Sequence, residues 1–213
     1  ARAAHVARRA AEFGVMLSGP VLVDMARVKA RKDAVVRAST EGVANWLRGT
    51  AGLTVIEGHG RFTGPRRVEV NGRTLDAAQV FINVGGRAAV PPFPGIDTVP
   101  YLTNSTMMEV DFLPPHLVIL GGSYIGLEFA QMYRRFGSRG TVIEMSDRLI
   151  AREDEDVTAA VREILEGEGV TVRTGAAVQR VERSGGDVMV HMKTAAGMEA
   201  VTGSHLLLAV GRT

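Results

Sequence analysis

The chain has 213 residues, 46% hydrophobic and 23% charged, with 25 Gly, 8 Pro and no Cys. That length buries a real core as one large or two small domains, and the lack of cysteine excludes a disulfide framework, a Cys–zinc site, an iron–sulfur cluster and a cysteine nucleophile within these residues. With 25 Lys+Arg against 23 Asp+Glu the net charge is only +2 and is spread along the chain, which gives no basis for nucleic-acid binding.

Residues 1 to about 48 read as helical. An Ala-rich helix over Ala1–Phe13 ends near Gly14, and a second runs from about Pro20 to Leu47. In the second, Val21, Met25, Val28, Val35, Val36, Val43 and Leu47 recur at spacings that make one apolar stripe. From Leu53 the period changes. Leu53–Ile56 and Val68–Val70 are β-like, Asn71-Gly72 is a hairpin-turn signal, and Ala78–Val84 reads as a buried strand. The run Val90-Pro91-Pro92-Phe93-Pro94-Gly95 continues neither strand nor helix, because its prolines lack backbone donors, and is the best candidate linker.

Beyond Pro115 strands and helices alternate. Leu117–Leu120 is a strand, Tyr124–Phe136 a helix with Ile125, Phe129, Met132 and Phe136 on one side, and Thr141–Glu144 the next strand. A helix over Glu153–Glu168 follows, with Val157, Ala160, Val161, Ile164 and Leu165 as its apolar stripe and the acidic run 152–156 at its N-terminus, where carboxylates favour the dipole. Val170–Arg173 is a third strand, and Val178–Glu182, Val188–His191 and Leu206–Val210 are β-like. This order predicts an α/β fold: a parallel β-α-β-α-β core with an antiparallel addition. No apolar run approaches the roughly 18 residues of a membrane span. No signal-like segment opens the chain, so it reads as a soluble, cytoplasmic piece that makes no membrane contact.

The stretch Leu117–Glu128 carries the chemistry. A hydrophobic strand runs into Gly121-Gly122-Ser123-Tyr124-Ile125-Gly126, which opens an amphipathic helix. That context is a dinucleotide fingerprint: Gly121 permits the tight turn, Gly126 lets helix and strand pack closely, and the N–H groups at the helix start can hold a diphosphate. Ser123 stands where the fingerprint has its second glycine. Its Cβ crowds the diphosphate, while its hydroxyl can hydrogen-bond a phosphate oxygen. Glu144 closes the second strand about 20 residues on, where a carboxylate accepts from ribose hydroxyls and repels a 2′-phosphate. NAD is therefore favoured over NADP, a preference softened by Arg148 and Arg152 close by in sequence.

With these residues in hand the chain resembles the pyridine nucleotide–disulfide oxidoreductases, the flavoenzyme family of dihydrolipoamide dehydrogenase, glutathione reductase and mercuric reductase. Four segments carry the likeness in order: Gly58–Phe62, Phe81–Arg87 with its Pro-rich sequel, Gly121–Glu128, and Leu207–Arg212. The wording of Phe81–Arg87 and of residues 152–156 is most similar to the mercuric-reductase-like branch. The resemblance implies a Rossmann-type NAD-binding domain with a parallel sheet over residues 101–204, joined to an incomplete FAD-binding domain over 1–100, with 205–213 a strand returning toward the latter.

It also implies site roles. Gly60, Val84, Gly85 and Gly86 would touch FAD, with Val84 in place of a hydroxyl residue. Tyr124 would cover the nicotinamide pocket as a gate, Glu128 would lie near the nicotinamide end, and Val178 and Gly211 would line the NAD site. The implied chemistry passes hydride from NADH to FAD and on to a redox disulfide or a mercuric-ion-like acceptor. The implied partners are a small-molecule or disulfide substrate and a second copy of the intact protein.

The family's redox cysteine pair is not among these residues. With no initiator Met and a last apolar strand at Leu206–Val210, the chain reads as a central piece of a longer protein, itself inactive. Two alternatives stand beside this: an NADH:flavin oxidoreductase without a cysteine pair, and a non-catalytic NADH-binding module. His5, His59, His116, His191 and His205 show no metal-ligand spacing, and Trp46 is expected in a core.

Overall fold

The computed structural model describes all 213 residues, Ala1–Thr213. In chain order, α1 (Arg2–Arg8) and a 3-10 turn (Ala10–Phe13) precede the long α2 (Met25–Gly49). Three short strands follow: β1 (Arg61–Gly64), β2 (Arg67–Val70) and β3 (Arg73–Asp76). Then come β4 (Leu102–Thr103), α3 (Asn104–Met107), β5 (His116–Leu120), α4 (Tyr124–Phe136), β6 (Arg139–Ile143), α5 (Glu155–Gly167) and β7 (Val170–Arg173). The chain ends with β8 (Ala177–Ser184), β9 (Asp187–Thr194), β10 (Gly197–Gly203) and β11 (His205–Leu208). No helix is long and apolar enough to cross a membrane. Contacts divide the chain into two units, one of residues 1–29 with 86–213 and one of residues 30–85.

The larger unit is built on a five-stranded parallel sheet in the order β4-β11-β5-β6-β7. Its central strands are buried on both faces, which explains why Leu117–Leu120 is an unbroken apolar run rather than an alternating one. Leu117, Ile119, Val142 and Leu207 point into one core with Phe129, Ala130, Tyr133 and Phe136 of α4 and Leu165 of α5. Val118, Leu120, Ile143, Leu206 and Leu208 point the other way, onto Val181, Val188, Val190 and Met192 of the antiparallel β8-β9-β10 meander. The result is three layers: helices, parallel sheet, antiparallel sheet. Burial of each of these large side chains is worth about 1.5–3 kcal/mol, so the Leu117–Leu120 strand anchors both cores at once. The expected parallel core with an antiparallel addition is what forms; β10, β4 and α3 were not foreseen.

The helix ends are held as their chemistry requires. At the C-terminus of α4, Gly137 continues in positive φ, and the Arg8 guanidinium donates to the carbonyls of Arg135 and Phe136. Asp154 is the N-cap of α5, with Glu155 and Asp156 in its first turn, as the acidic run predicted. The buried face of α5 differs from the expected stripe. Thr158 and Leu165 are buried and Val161 half-buried, whereas Val157, Ala160 and Ile164 are exposed. Apolar spacing marks a broad arc, and the sheet covers only one edge of it. The Pro-rich run 90–95 is irregular but not free: Phe93 packs on the second core and the Pro94 carbonyl accepts from Val181 N–H at 2.9 Å.

In the smaller unit β1, β2 and β3 form an antiparallel sheet, and Asn71-Gly72 makes the predicted hairpin turn, both residues at positive φ. Arg67 and Asp76 pair across the hairpin at 2.9 Å. Several expectations fail here. Leu53–Ile56 and Ala78–Val84 are not strands, and Phe81, Ile82 and Val84 are exposed, Val84 to 88%. A strand needs an adjacent edge to satisfy its backbone, and no strand of this unit runs beside them. The apolar stripe of α2, which starts at Met25 rather than near Pro20, is likewise open at Val35, Val36 and Val43. Trp46, expected in a core, is 69% exposed.

At the N-terminal ends of β5 and β11 two histidines share a polar cluster. His116 Nε2 lies 2.9 Å from Thr141 Oγ1, and Ser204 Oγ lies 3.0 Å from His205 Nδ1 while bonding the His116 backbone. Burial pushes both imidazoles below their ordinary 6.5; nearby Arg139 acts the same way on His116, against the Thr202 carbonyl and Asp187, and Asp187 opposes the shift at His205. A histidine whose folded pKa lies below its unfolded value binds more protons when unfolded, so its contribution is whole above that unfolded value and is lost as pH falls toward the folded one. The melting temperature is therefore expected to decline with acidification from about pH 6.5. Circular-dichroism melts of the double variant His116→Gln/His205→Gln should show a flatter profile between about pH 6.5 and 5; an unchanged slope would contradict the assignment.

Candidate cofactor site

The site lies at the C-terminal ends of the parallel strands. From β5 the chain crosses through α4 to β6 on one side, while β11 returns on the other. The end of β5 is therefore the topological switch point, where open α/β sheets bind their ligands. The predicted turn stands there. Gly121 has φ +107°, and a Cβ on it would lie 2.3 Å from the Ala209 carbonyl oxygen at the end of β11. A Cβ on Gly126 would lie 2.1 Å from the Gly121 carbonyl oxygen. Both positions thus require glycine, the first for its backbone and its neighbour, the second for the approach of α4 to the turn.

Ser123 is the N-cap of α4, and its side chain makes no capping bond. Its hydroxyl and the N–H groups of the first helical turn, Tyr124, Ile125 and Gly126, have no intrahelical acceptor and sit at the positive end of the helix dipole. This arrangement suits a diphosphate. Glu144 ends β6 beside them. Its Oε2 accepts from Gly122 N–H at 2.6 Å and its Oε1 from Ser146 N–H at 2.8 Å. Each carboxylate oxygen retains a second lone pair for a ribose hydroxyl. Arg148, expected to soften the NAD preference, is engaged elsewhere: it donates to the Ala151 carbonyl at 3.0 Å and pairs with Glu155 at 3.3 Å.

Tyr124 (65% exposed) and Glu128 stand one helical turn apart on the open side of α4. Ala176 N–H donates to the Glu144 carbonyl at 2.9 Å, which starts β8 next to the site. Val178, two residues on, is half-buried against the second core. Gly211 lies just beyond the Ala209 carbonyl that touches the Gly121 turn and is exposed at φ +123°. So the structure gathers Gly121–Gly126, Glu144 and the Ala209–Gly211 segment at one edge, with Glu128 a turn further along α4.

Of the residues expected at FAD, Gly86 lies beside the end of the chain. Gly86 and Gly211–Thr213 are zipped together: Arg87 and Thr213 exchange backbone hydrogen bonds of 2.8 and 2.9 Å, and Ala89 N–H reaches the Gly211 carbonyl at 3.0 Å. Two of the four segments noted in the sequence thereby meet. Gly60, Val84, Gly85 and Gly86 are all exposed. Sequence reading missed Leu149 and Ile150, which pack against the turn from the loop after Glu144. Their one signal was the short apolar run Leu149-Ile150-Ala151 inside the otherwise polar stretch 146–156.

The model of the family "Pyridine nucleotide-disulphide oxidoreductase" matches residues 3–213. A mercuric reductase of Streptomyces lividans is 35% identical over 218 aligned residues, covering 100% of this chain and 46% of that protein. A dihydrolipoyl dehydrogenase of Acholeplasma laidlawii is 35% identical, covering 85% of this chain and 55% of its own length. Among solved structures, the HOCl-induced flavoprotein disulfide reductase RclA of Escherichia coli superposes with a TM-score of 0.79 at 34% identity, over 90% of this chain and 43% of that one. The chain spans about half the length of the relatives it matches. With the glycine turn, the acidic residue at the end of β6 and the three-layer sheet all in place, the chain belongs to the pyridine nucleotide–disulphide oxidoreductase family.

Proposed function

We propose that this chain carries the NADH-binding site of an FAD-dependent oxidoreductase of the disulfide-reductase type. The observation that carries the reading is the row of free N–H groups and the uncapped Ser123 at the start of α4, with the Glu144 carboxylate beside them. A nicotinamide held here would supply a hydride, and a flavin in the intact protein would supply its onward transfer toward a disulfide or metal-ion acceptor; this chain's own residues would hold only the nucleotide. The chain's own residues bind and orient. The α4 N-terminus and Ser123 hold the diphosphate, Glu144 accepts from the adenosine ribose, Ala209–Gly211 and Val178 line the walls, and Tyr124 with Glu128 stands at the nicotinamide end. Glu144 repels a 2′-phosphate, which favours NADH over NADPH.

Residues 101–204 are assigned to the nucleotide domain, and 1–100 with 205–213 to the flavin side. The intact protein is proposed to act as a homodimer on a small-molecule or disulfide substrate. With no cysteine in these 213 residues, a dithiol step is not carried by them. Fluorescence titration of the chain should show saturable NADH binding at least about tenfold tighter than NADPH, the difference expected from one unfavourable charge contact. The purified chain should be colourless and without turnover. Failure of both nucleotides to saturate would overturn the reading, and equal affinities would overturn the role given to Glu144.

A further inference from the structure

The loop that follows Glu144 returns to the glycine turn and holds one residue of it from both ends. Gly122 N–H donates to Glu144 Oε2 at 2.6 Å, and the Gly122 carbonyl accepts from Ile150 N–H at 2.9 Å. Between these two bonds the loop is fixed at Ser146, whose N–H donates to Glu144 Oε1 at 2.8 Å and whose carbonyl accepts from Gly175 N–H, just after β7, at 2.8 Å. Leu149 is 1% exposed and seats the loop in the core that packs α4. A Cβ on Gly122 would lie 2.7 Å from Leu149 Cδ2 and 2.8 Å from Glu144 Cβ, so the loop is pressed against the turn with no room for a side chain.

The end of the loop is strained. Ile150 has φ +38°, a left-handed conformation that a β-branched residue rarely adopts, because its Cβ crowds the carbonyl. Such strain persists only where the surroundings over-determine it, and it concentrates at ligand sites. Here the left-handed backbone accompanies the bond from Ile150 N–H to Gly122. Beyond Gly122 the N–H groups at the start of α4 have no intrahelical partner.

We infer that the Glu144–Ile150 loop is a positioning element for the diphosphate. Buried Leu149 seats it, and the Ile150 N–H holds the Gly122 carbonyl. The peptide leading into Ser123 then keeps one orientation, and the α4 N–H groups are set before the ligand arrives. Leu149 and Ile150 touch no ligand; they act through Gly122. The gain is preorganisation, since a turn already held loses less freedom on binding. This inference rests on the reading of the turn as the NADH diphosphate site and adds residues to it.

Binding of ADP and of adenosine to the full 213-residue chain separates positioning from general stability, because only ADP carries the diphosphate. Leu149→Ala is expected to weaken ADP about tenfold and adenosine less than about twofold after correction for the folded fraction. Leu149→Met, which preserves volume, should bring ADP back to within about twofold of the parent chain. Parallel losses for both ligands, or no loss for ADP, would overturn the inference. Should Leu149→Ala not fold, amide exchange in the unliganded parent chain decides. Gly122 and Ile150 are expected to exchange at least about tenfold more slowly than Ser123 and Tyr124, and equal rates would overturn the clamp. If the parent chain binds neither ADP nor NADH, the site reading falls and the clamp's role with it. If it binds both and the variants and exchange rates do not respond, the clamp alone falls.

Discussion

Gly126→Ala is expected to abolish measurable NADH binding and to lower the melting temperature of the chain by roughly 10 °C, because the added methyl has nowhere to go. Its carbon would lie 2.1 Å from the Gly121 carbonyl oxygen, 3.2 Å from that carbonyl carbon and 3.3 Å from Ile119 Cγ2. Two of these neighbours are backbone atoms of the turn itself, so no rotamer change relieves the clash. Helix α4 has to move away from β5, and with it move the N–H groups proposed to face the diphosphate. Overpacking of this kind costs about 1–3 kcal/mol and more where backbone must shift, and each kcal/mol corresponds to roughly 2–4 °C in a domain of this size. Gly140→Ala is the control. Gly140 is also buried, but a Cβ there meets nothing closer than 3.8 Å. It should therefore melt near the parent temperature and bind NADH normally. Calorimetry and NADH titration on the pair check this; a Gly126→Ala chain that melts within about 2 °C of the parent, less than 1 kcal/mol, and binds equally well would contradict the packing described.

Glu144→Arg is expected to reverse the nucleotide preference without creating a good NADPH site. The substitution removes a negative charge from the ribose position and supplies a positive one, so the ratio of NADPH to NADH affinity should rise. The same substitution strips Gly122 N–H and Ser146 N–H of their acceptor. A hydrogen bond to a charged group is worth about 1.5–3 kcal/mol, so NADH affinity should fall about tenfold to a hundredfold. NADPH should remain weaker on the variant than NADH is on the parent, because the turn proposed to bind the diphosphate has lost one of the two bonds that hold it. A variant that binds NADPH as tightly as the parent binds NADH would show that Glu144 acts on the ribose alone. The sequence supports only the first half of this expectation; the second comes from the position of the carboxylate between two backbone N–H groups.

Where an apolar run or stripe is covered on the face that its spacing marks, the sequence was legible. Leu117–Leu120, Tyr124–Phe136 and Val170–Arg173 were foreseen nearly to the residue. In each the apolar run or stripe is buried against the sheet and helices of the larger unit. The Asn71-Gly72 turn was readable for a similar reason, since the positive φ at both residues is a property of those residues. Ala78–Val84 and the stripe of α2 were misread because apolar character states what a face avoids and not which surface covers it. The exposed half of the α5 arc shows the same limit inside the well-packed unit.

From sequence alone the chain declares a strand, a glycine turn, a helix and an acidic residue about one β-α-β unit apart. Together these point to the family that the comparisons show, and to the dinucleotide-type site proposed above. They are local or nearly local features, set by backbone freedom at Gly121 and Gly126 and by apolar patterning. What only the tertiary structure decided is how that turn is held. The Ala209 carbonyl arrives from the far end of the chain beneath Gly121, the Glu144 carboxylate spans two backbone N–H groups, and Leu149 with Ile150 closes on Gly122 from a polar loop. These contacts join residues whose individual chemistry is ordinary. They form only when the order of strands in the parallel sheet brings the ends of β5, β6 and β11 side by side, a long-range arrangement that no local pattern encodes.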